Sequence, residues 1–544
     1  MKYIYKIFLS LLVLPATPIL AQTDYQHFII YGQSLSTGHD SGTGISLQNV
    51  PGNFMFGDQV FIDCSNTNTS TLNPLVSKPA TCAPNVIESP IIGFANHLQA
   101  KGLINNKTIA TVTGHGGTSI EELSKQSAID NYYNIYTDAL TTGALYVRKN
   151  KVTINCPAIF YLQGENNYVG QGHGLTEGST ATKNKDEYKA LLLTLKDNMQ
   201  NDAQKNYKQS TKPVFYIYQT GAYMGKVGKE LTIGMAQLEA SNEYDDIVCM
   251  GPLYQMSNYG IHLDANGYRW YGEMMAKIYY RHSILNEEFK PLQPKAIYRD
   301  ASDKKKVTIQ FLVPKLPLVF DDKILEKEAD YGFQLFNNGV KQSIKELIIV
   351  EDCVEIHTYN NIMGEIEIVY AGETTNTRGN GNLRDNDDYQ SVFTYVDLDE
   401  KDNEGNYIYS HLENKALRPT YEPKDENGNI IYGKPYPLYN FCVSFYYKLP
   451  KDEDRLDINL SNSSSIATPQ EDNGQIAFYA NKSLYVDSSY NVKHIVIYDL
   501  SGKKKFSSTI SDSNKFDLSF LEKGSYIVQL SAEKNLKNIK IIVD

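Results

Sequence analysis

The stretch His27-Phe28-Ile29-Ile30-Tyr31-Gly32-Gln33-Ser34-Leu35-Ser36-Thr37-Gly38 decides the reading of the first half of the chain. Its opening residues form a largely apolar run ending at glycine, the mark of a buried strand in a parallel sheet. A glycine-flanked serine follows, where the backbone can turn sharply and present an amide beside the hydroxyl. The same rhythm recurs outward from this stretch. Thr108 to Thr113, Ala158 to Leu162, Val214 to Tyr218 and Ile247 to Met250 are further strand-like runs before about residue 285. Helical patterns separate them. The clearest puts Tyr188, Leu191, Leu192, Leu195 and Met199 on one face, and others lie near 91 to 101, 228 to 243 and 266 to 281. Strands alternating with helices predict an α/β domain with a parallel sheet covered on both faces. Ligand sites of such sheets lie beyond the carboxyl ends of the strands, so chemistry is expected in the loops that follow them.

Four of those loops carry groups that a hydrolase needs. The first holds Ser34. A serine at a strand end is by itself most often a helix cap or turn residue. The second is Gly114-His115-Gly116-Gly117-Thr118-Ser119-Ile120, whose bare amides suit an oxyanion, while Thr118 or Ser119 is placed to cap the helix that begins with Glu121 and Glu122. The third, Tyr161-Leu162-Gln163-Gly164-Glu165-Asn166-Asn167, offers the Gln163 amide to developing negative charge and Glu165 to orient neighbours. The fourth is Asn258-Tyr259-Gly260-Ile261-His262-Leu263-Asp264, with a histidine just ahead of a helix. A single loop histidine is usually structural. The weight comes from conjunction: nucleophile, oxyanion donors and base follow successive strands in order.

Together Gly32-Gln33-Ser34, Gly116-Gly117-Thr118-Ser119, Gln163-Gly164-Glu165 and Gly260-Ile261-His262-Leu263 resemble the four blocks of SGNH-type carbohydrate esterases, over about residues 25 to 282. The nearest group is the sialate O-acetylesterase-like and acetylxylan-esterase-like branch, in which Gly-Gln-Ser replaces Gly-Asp-Ser. The resemblance implies an α/β three-layer flavodoxin-like fold, Ser34 as nucleophile and His262 as general base. It also implies an oxyanion hole from the Ser34 amide, Gly117 and Gln163, with no metal or organic cofactor. Such families often place Asp three residues before the histidine, where this chain has Tyr259. A Ser-His dyad with the imidazole held by a backbone carbonyl near Asn258 or Tyr259 is the favoured expectation. Glu165 and Asp264 are possible orienting acids, although Asp264 also stands where Asp commonly caps a helix.

The rest of the chain fits an exported protein. Lys2 and Lys6, an apolar run from Ile7 to Leu14, Pro15 and a small-residue end at Ala21 predict a signal peptide over 1–21. No later stretch reaches the roughly 20 apolar residues of a membrane helix. With 41% hydrophobic and 21% charged residues the composition is globular, and 52 Lys plus Arg against 63 Asp plus Glu give a charge of −11. A polyanion meets net repulsion, which excludes nucleic acid as an expected partner. The 41 Tyr against one Trp favour amphipathic surfaces of the kind that suit sugars. Of six cysteines, Cys64 and Cys82 share a polar loop that a local bridge would restrain, whereas Cys156 and Cys249 lie in or beside strand-like runs as buried thiols.

Residues 22–286 form the expected esterase domain. A β-rich accessory domain over 287–460 follows, with strand-like runs at Lys306 to Val313, Leu347 to Thr358, Gly364 to Tyr370 and Phe441 to Tyr447 and with long charged loops. A polar linker, 461–473, leads to a small C-terminal β-sandwich, 474–544. Within it Ile497-Tyr498-Asp499-Leu500-Ser501-Gly502-Lys503, Leu521-Glu522-Lys523-Gly524-Ser525-Tyr526-Ile527-Val528 and Lys540-Ile541-Ile542-Val543 resemble the type A sorting domain of the Bacteroidetes type IX secretion system. That resemblance implies outer-membrane secretion machinery as a partner and a secreted or cell-surface destination. The expected activity is removal of O-acetyl groups from acylated sugars. The alternative is a non-catalytic, surface-displayed glycan-binding protein on an esterase scaffold.

Overall fold

A computed structural model of the chain describes residues 24–544 except 64–70, 85, 130, 176–179, 222–227, 259, 373–379, 410–421, 461–476, 481–482, 487–492, 500–502, 510–514, 532–535 and 544. The expected signal peptide, the linker, Cys64 and Tyr259 therefore lie outside the described residues. The chain divides into two compact units, one ending at Ser463 and the other beginning at Ser464.

The α/β part of the first unit runs β1 (Tyr25–Gly32), α1 (Ser34–Thr37), β2 (Asn53–Phe56), β3 (Leu72–Pro74), α2 (Pro90–Ala100), β4 (Lys107–Val112), α3 (Ile120–Leu123), α4 (Tyr133–Asn150), β5 (Ile154–Asn155), β6 (Ala158–Leu162), α5 (Glu165–Val169), α6 (Lys185–Tyr207), β7 (Val214–Gln219), α7 (Thr232–Glu243), β8 (Ile247–Pro252) and α8 (Ala265–Tyr279). Its mixed sheet has the order β3-β2-β4-β1-β6-β7-β8, with β5 beside β1. Every pairing is parallel except β2 with β3. β1 is central because nearly all of it is apolar and both its neighbours are buried: Phe28, Ile29, Ile30 and Tyr31 are wholly enclosed. The helices pack in two sets, α2 against α8 and α6 against both α4 and α7.

The five strand runs and four helical patterns of the sequence fall where they were expected, within a few residues at each end. The elements not foreseen include β2, β3 and α4. β2 and β3 are short strands, with β3 at the edge of the sheet, and α4 buries Tyr133, Tyr136, Ala139, Leu140 and Gly143, a face mostly of tyrosines and small residues rather than a branched-aliphatic stripe. Gly143 admits the Tyr207 hydroxyl, which would lie 2.0 Å from a side chain there.

The β-rich part forms a five-stranded antiparallel sheet, ordered 344–350, 353–358, 306–312, 293–299 and 455–457, and a four-stranded one, ordered 340–342, 333–337, 366–370 and 445–449. The run Leu347 to Thr358, read as one strand, is a hairpin turning at Glu351, which has φ of 56°. The two parts of this unit share one hydrophobic core. Helix α8 lies along the join. Trp270 stacks on Tyr436 and donates to the Pro437 carbonyl at 2.9 Å, and Arg269 reaches Tyr436 and the Thr394 carbonyl. Gln219 at the end of β7 exchanges two 2.7 Å hydrogen bonds with the Ser444 backbone. Lys277 meets Asp387 and Asn440 in a fully buried cluster, where Arg281 also pairs with Asp387. Burial alone would raise Asp387, but Lys277 and Arg281 outweigh it and hold its carboxyl at about 2.

The second unit holds two antiparallel sheets, three-stranded and four-stranded, around a core that includes Leu484, Ile495, Ile497, Leu518, Val528 and Leu530. No described helix is long and apolar enough to cross a membrane. Cys82 is disulfide-bonded, and Cys156, Cys249, Cys353 and Cys442 are free.

Candidate active site

The site gathers the loops after β1, β4, β6 and β8. Gly32 ends β1 with φ of 137°, and a side chain on it would collide with the Leu162 carbonyl at 2.0 Å, so only glycine lets β1 close against β6 here. Gln33 donates its backbone N–H to that same carbonyl at 2.9 Å. Its side-chain oxygen accepts from the backbone N–H groups of Gly164 at 3.2 Å and Asn166 at 3.3 Å. The loop carrying Ser34 is thereby fastened to the loop after β6, and Ser34 begins the short turn of α1.

His262 meets Ser34 across the sheet ends. Its Nε2 lies 2.9 Å from Ser34 Oγ and its Nδ1 lies 2.8 Å from Asp40 Oδ2. A base-to-serine hydrogen bond with a carboxylate behind the ring is the arrangement that activates a hydroxyl. Asp40 sits six residues after Ser34, in the left-handed region at φ 57°. Asp tolerates that conformation better than most side chains, and it turns the carboxylate back toward His262. His39 completes the corner. Its ring stands 5.0 Å from that of His262, and Tyr268 donates to its carbonyl at 2.8 Å. Burial keeps the His39 imidazole below its ordinary pKa, with Asp40 pulling the other way.

The carboxylate that meets His262 is therefore not one that the sequence named. Asp264 caps α8: its Oδ1 accepts from the Gly267 N–H at 2.6 Å and from Ser257 Oγ at 2.5 Å. Burial pushes its carboxyl up to about 6. Glu165 accepts from the Tyr218 hydroxyl, and burial raises it as well. Neither carboxylate is on His262. The expected backbone carbonyl gives way to Asp40: Nδ1 is met by a carboxylate brought in from the loop that carries Ser34. The sequence signal was Gly38-His39-Asp40, a glycine and an aspartate that both accept left-handed turns and so fold the loop back on itself.

Gln163 also differs from expectation. It is completely buried, and its amide donates to Asn167 Oδ1 at 2.7 Å and to the Thr118 carbonyl at 3.2 Å. Tyr188 donates to its oxygen at 2.9 Å. The side chain follows the buried end of β6 inward, so its hydrogens are spent on protein acceptors. Asn166, just inside α5, instead extends its amide to the Gly117 carbonyl and is only partly buried. Gly117 has φ of 76°, and a methyl in place of the Gly116 hydrogen would lie 3.9 Å from Ser34 Cβ. The glycine pair thus keeps the face beside Ser34 open. Ser119 caps α3 through a capping box with Glu122.

A recess of about 60 Å³ is lined by Leu35, Glu165, Leu253, Tyr254, Ile261 and Leu263 among others. Several of these flank Ser34 or His262 in sequence, and the wall is mainly apolar. Among the described residues no cluster of three or more His, Cys, Asp or Glu could hold a metal ion.

Residues 480–544 match the family model of the secretion system C-terminal sorting domain, and the chain is accordingly a secreted or cell-surface protein. No curated protein matches the chain. Among solved structures, a carbohydrate acetylesterase from Xanthomonas citri is similar at 14% identity and a TM-score of 0.43, covering 66% of this chain and 77% of its own. A protein from Arabidopsis thaliana is similar at 15% identity and a TM-score of 0.33, covering 47% of this chain and 98% of its own. A family two carbohydrate esterase from Clostridium thermocellum follows at 11% identity and 0.27, covering 48% and 65%.

Proposed function

We propose that the chain is a secreted serine carbohydrate esterase of the SGNH type that removes O-acetyl groups from acylated sugars. The observation that carries this reading is the continuous hydrogen-bonded line from Ser34 Oγ through His262 to Asp40. His262 Nε2 takes the proton as Ser34 Oγ attacks the ester carbonyl, and Asp40 holds the tautomer and balances the imidazolium. In this reading the Ser34 and Gly117 amides, with the amide hydrogen of Asn166 that is not donated to the Gly117 carbonyl, stabilise the tetrahedral oxyanion. Collapse breaks the carbonyl C–O bond, and the departing sugar oxygen takes the His262 proton to leave as a hydroxyl. Water then repeats the sequence on the acetyl enzyme and releases acetate.

The four sequence blocks, the central position of β1 and the two helix sets support the three-layer flavodoxin-like arrangement for 22–286. In this reading residues 287–460 complete that domain's core, a signal peptide over 1–21 takes the chain out of the cytoplasm, and the type IX machinery reads 474–544 after the linker 461–473. The test is a screen of acetylated glycans, sialate esters and plant polysaccharides included, with released acetate as readout. Wild type is expected to turn over at least one, and Ser34→Ala is expected to lose about 10⁶ in kcat, the scale of a lost nucleophile. Acetate release that survives Ser34→Ala contradicts the assignment.

A further inference from the structure

Three rings stand beside the glycine pair and take no part in the chemistry above. His115 and Tyr132 stack face to face, with centroids 4.1 Å apart and planes 27° apart. His173 meets His115 nearly at right angles, 80° at 5.1 Å, and its Nδ1 lies 2.9 Å from the Tyr132 hydroxyl. His173 is exposed, while His115 and Tyr132 are half-buried. The corner these rings form is held in place from below. One oxygen of the buried Glu122 accepts from the His173 N–H at 3.2 Å, and the other accepts from the Gly174 N–H at 2.6 Å. The same carboxylate belongs to the capping box that starts α3, so ring cluster and oxyanion loop share one anchor.

The corner also adjoins the nucleophile. A methyl at Gly117 would lie 3.8 Å from His173 Cβ, and one at Gly116 would lie 3.9 Å from Ser34 Cβ. Only two consecutive glycines therefore separate the exposed imidazole from the reacting serine. Burial, then the neighbouring His173, keeps His115 below its ordinary pKa and so uncharged near neutrality. Aromatic rings with polar tips suit a ligand that has apolar C–H faces and a rim of hydroxyls, as a sugar ring does.

We propose that His115, Tyr132 and His173 form a sugar-binding subsite that receives a neutral pyranose ring of the glycan whose acetyl ester lies at Ser34. This rests on the esterase reading for the position of the ester, but the binding surface is a separate claim. The ring faces carry the stacking, and the imidazole and phenol tips bond the hydroxyls.

The test compares kcat/KM on an acetylated xylo-oligosaccharide and on p-nitrophenyl acetate, which has no sugar. His173→Ala is expected to lower the glycan-to-aryl ratio about five- to tenfold, through KM, as for loss of one stacking face. His173→Phe, which restores a ring, is expected to recover most of it. An unchanged ratio, or equal losses on both esters, overturns the subsite. Calorimetric titration of xylohexaose into wild type and His173→Ala reads the subsite without turnover. Weaker binding by His173→Ala supports it, and equal binding, or none to wild type, overturns it. If wild type hydrolyses neither ester, the esterase reading fails on that result alone while the titration still decides the subsite.

Discussion

Two histidine–carboxylate pairs in this chain have almost the same dimension and opposite surroundings. His97 Nδ1 lies 2.7 Å from Glu273, and His262 Nδ1 lies 2.8 Å from Asp40. Both side chains of the first pair are 0% exposed, whereas those of the second are 13% and 27% exposed. The far nitrogen of His97 meets the Tyr389 hydroxyl at 3.2 Å, and Glu273 also accepts from the Val392 and Phe393 N–H groups. Every polar group there is spent on joining α2 and α8 to the strand at 390–394. The far nitrogen of His262 faces a serine hydroxyl beside open glycines. Pair geometry alone does not mark a catalytic histidine; what the second nitrogen reaches, and whether a substrate can reach it too, does.

Substitutions should pull the two pairs apart. Asp40→Asn is expected to cost about 10⁴ in kcat with an unchanged melting temperature, since the amide no longer holds the right tautomer or balances the imidazolium. Steady-state kinetics beside a thermal melt check this, and retained activity would return the site to a dyad. Glu273→Ala should do the reverse. Removing it strands His97 and two backbone donors in the interior, with an expected loss of about 3–5 kcal/mol in denaturant unfolding and near-normal turnover by the molecules that remain folded.

Asn166→Ala is expected to lower kcat by about 10² to 10³ with little change in KM, the effect of one lost oxyanion donor. A rise in KM alone would make Asn166 a substrate contact. The smallest effect on activity belongs to Asp264→Asn, expected to stay within about tenfold of wild type because the helix cap survives and His262 keeps its partner. Its signature is in stability instead. Burial raises the Asp264 carboxyl to about 6, against about 3.9 unfolded. The folded state therefore holds this proton longer, and the associated stability is fully present below about pH 4 and lost as pH rises through about 6. Melting temperatures from pH 4 to 7 should show that slope in wild type and not in Asp264→Asn.

The contrast also explains what was legible in the sequence. Strand runs such as Ala158 to Leu162 announce themselves because a strand buried on both faces must be apolar throughout, and Ser34 and His262 are legible because each follows such a run. Asp40 was hidden because its approach to His262 depends on a left-handed turn in a loop 222 residues away in sequence. Asn166, the oxyanion donor proposed here, was hidden by its neighbours, since Gln163 carries the same amide and only the direction in which β6 ends decides which one is left partly exposed. Helix α4 escaped notice because its buried face is built from tyrosines and small residues. The shared core of the first unit was illegible for a further reason. It depends on pairs such as Lys277 with Asp387 and Gln219 with Ser444, which in sequence are merely polar residues in a helix and charged or polar residues in loops.

Peptide mapping after reaction with a serine-directed phosphonate tests the central claim most directly, because the probe reports an activated hydroxyl without any assumption about the sugar. Wild type is expected to carry a single adduct, on Ser34, with labelling slowed steeply in Asp40→Asn and His262→Ala and unchanged in Asp264→Asn. No adduct, or an adduct on another serine, would contradict the account.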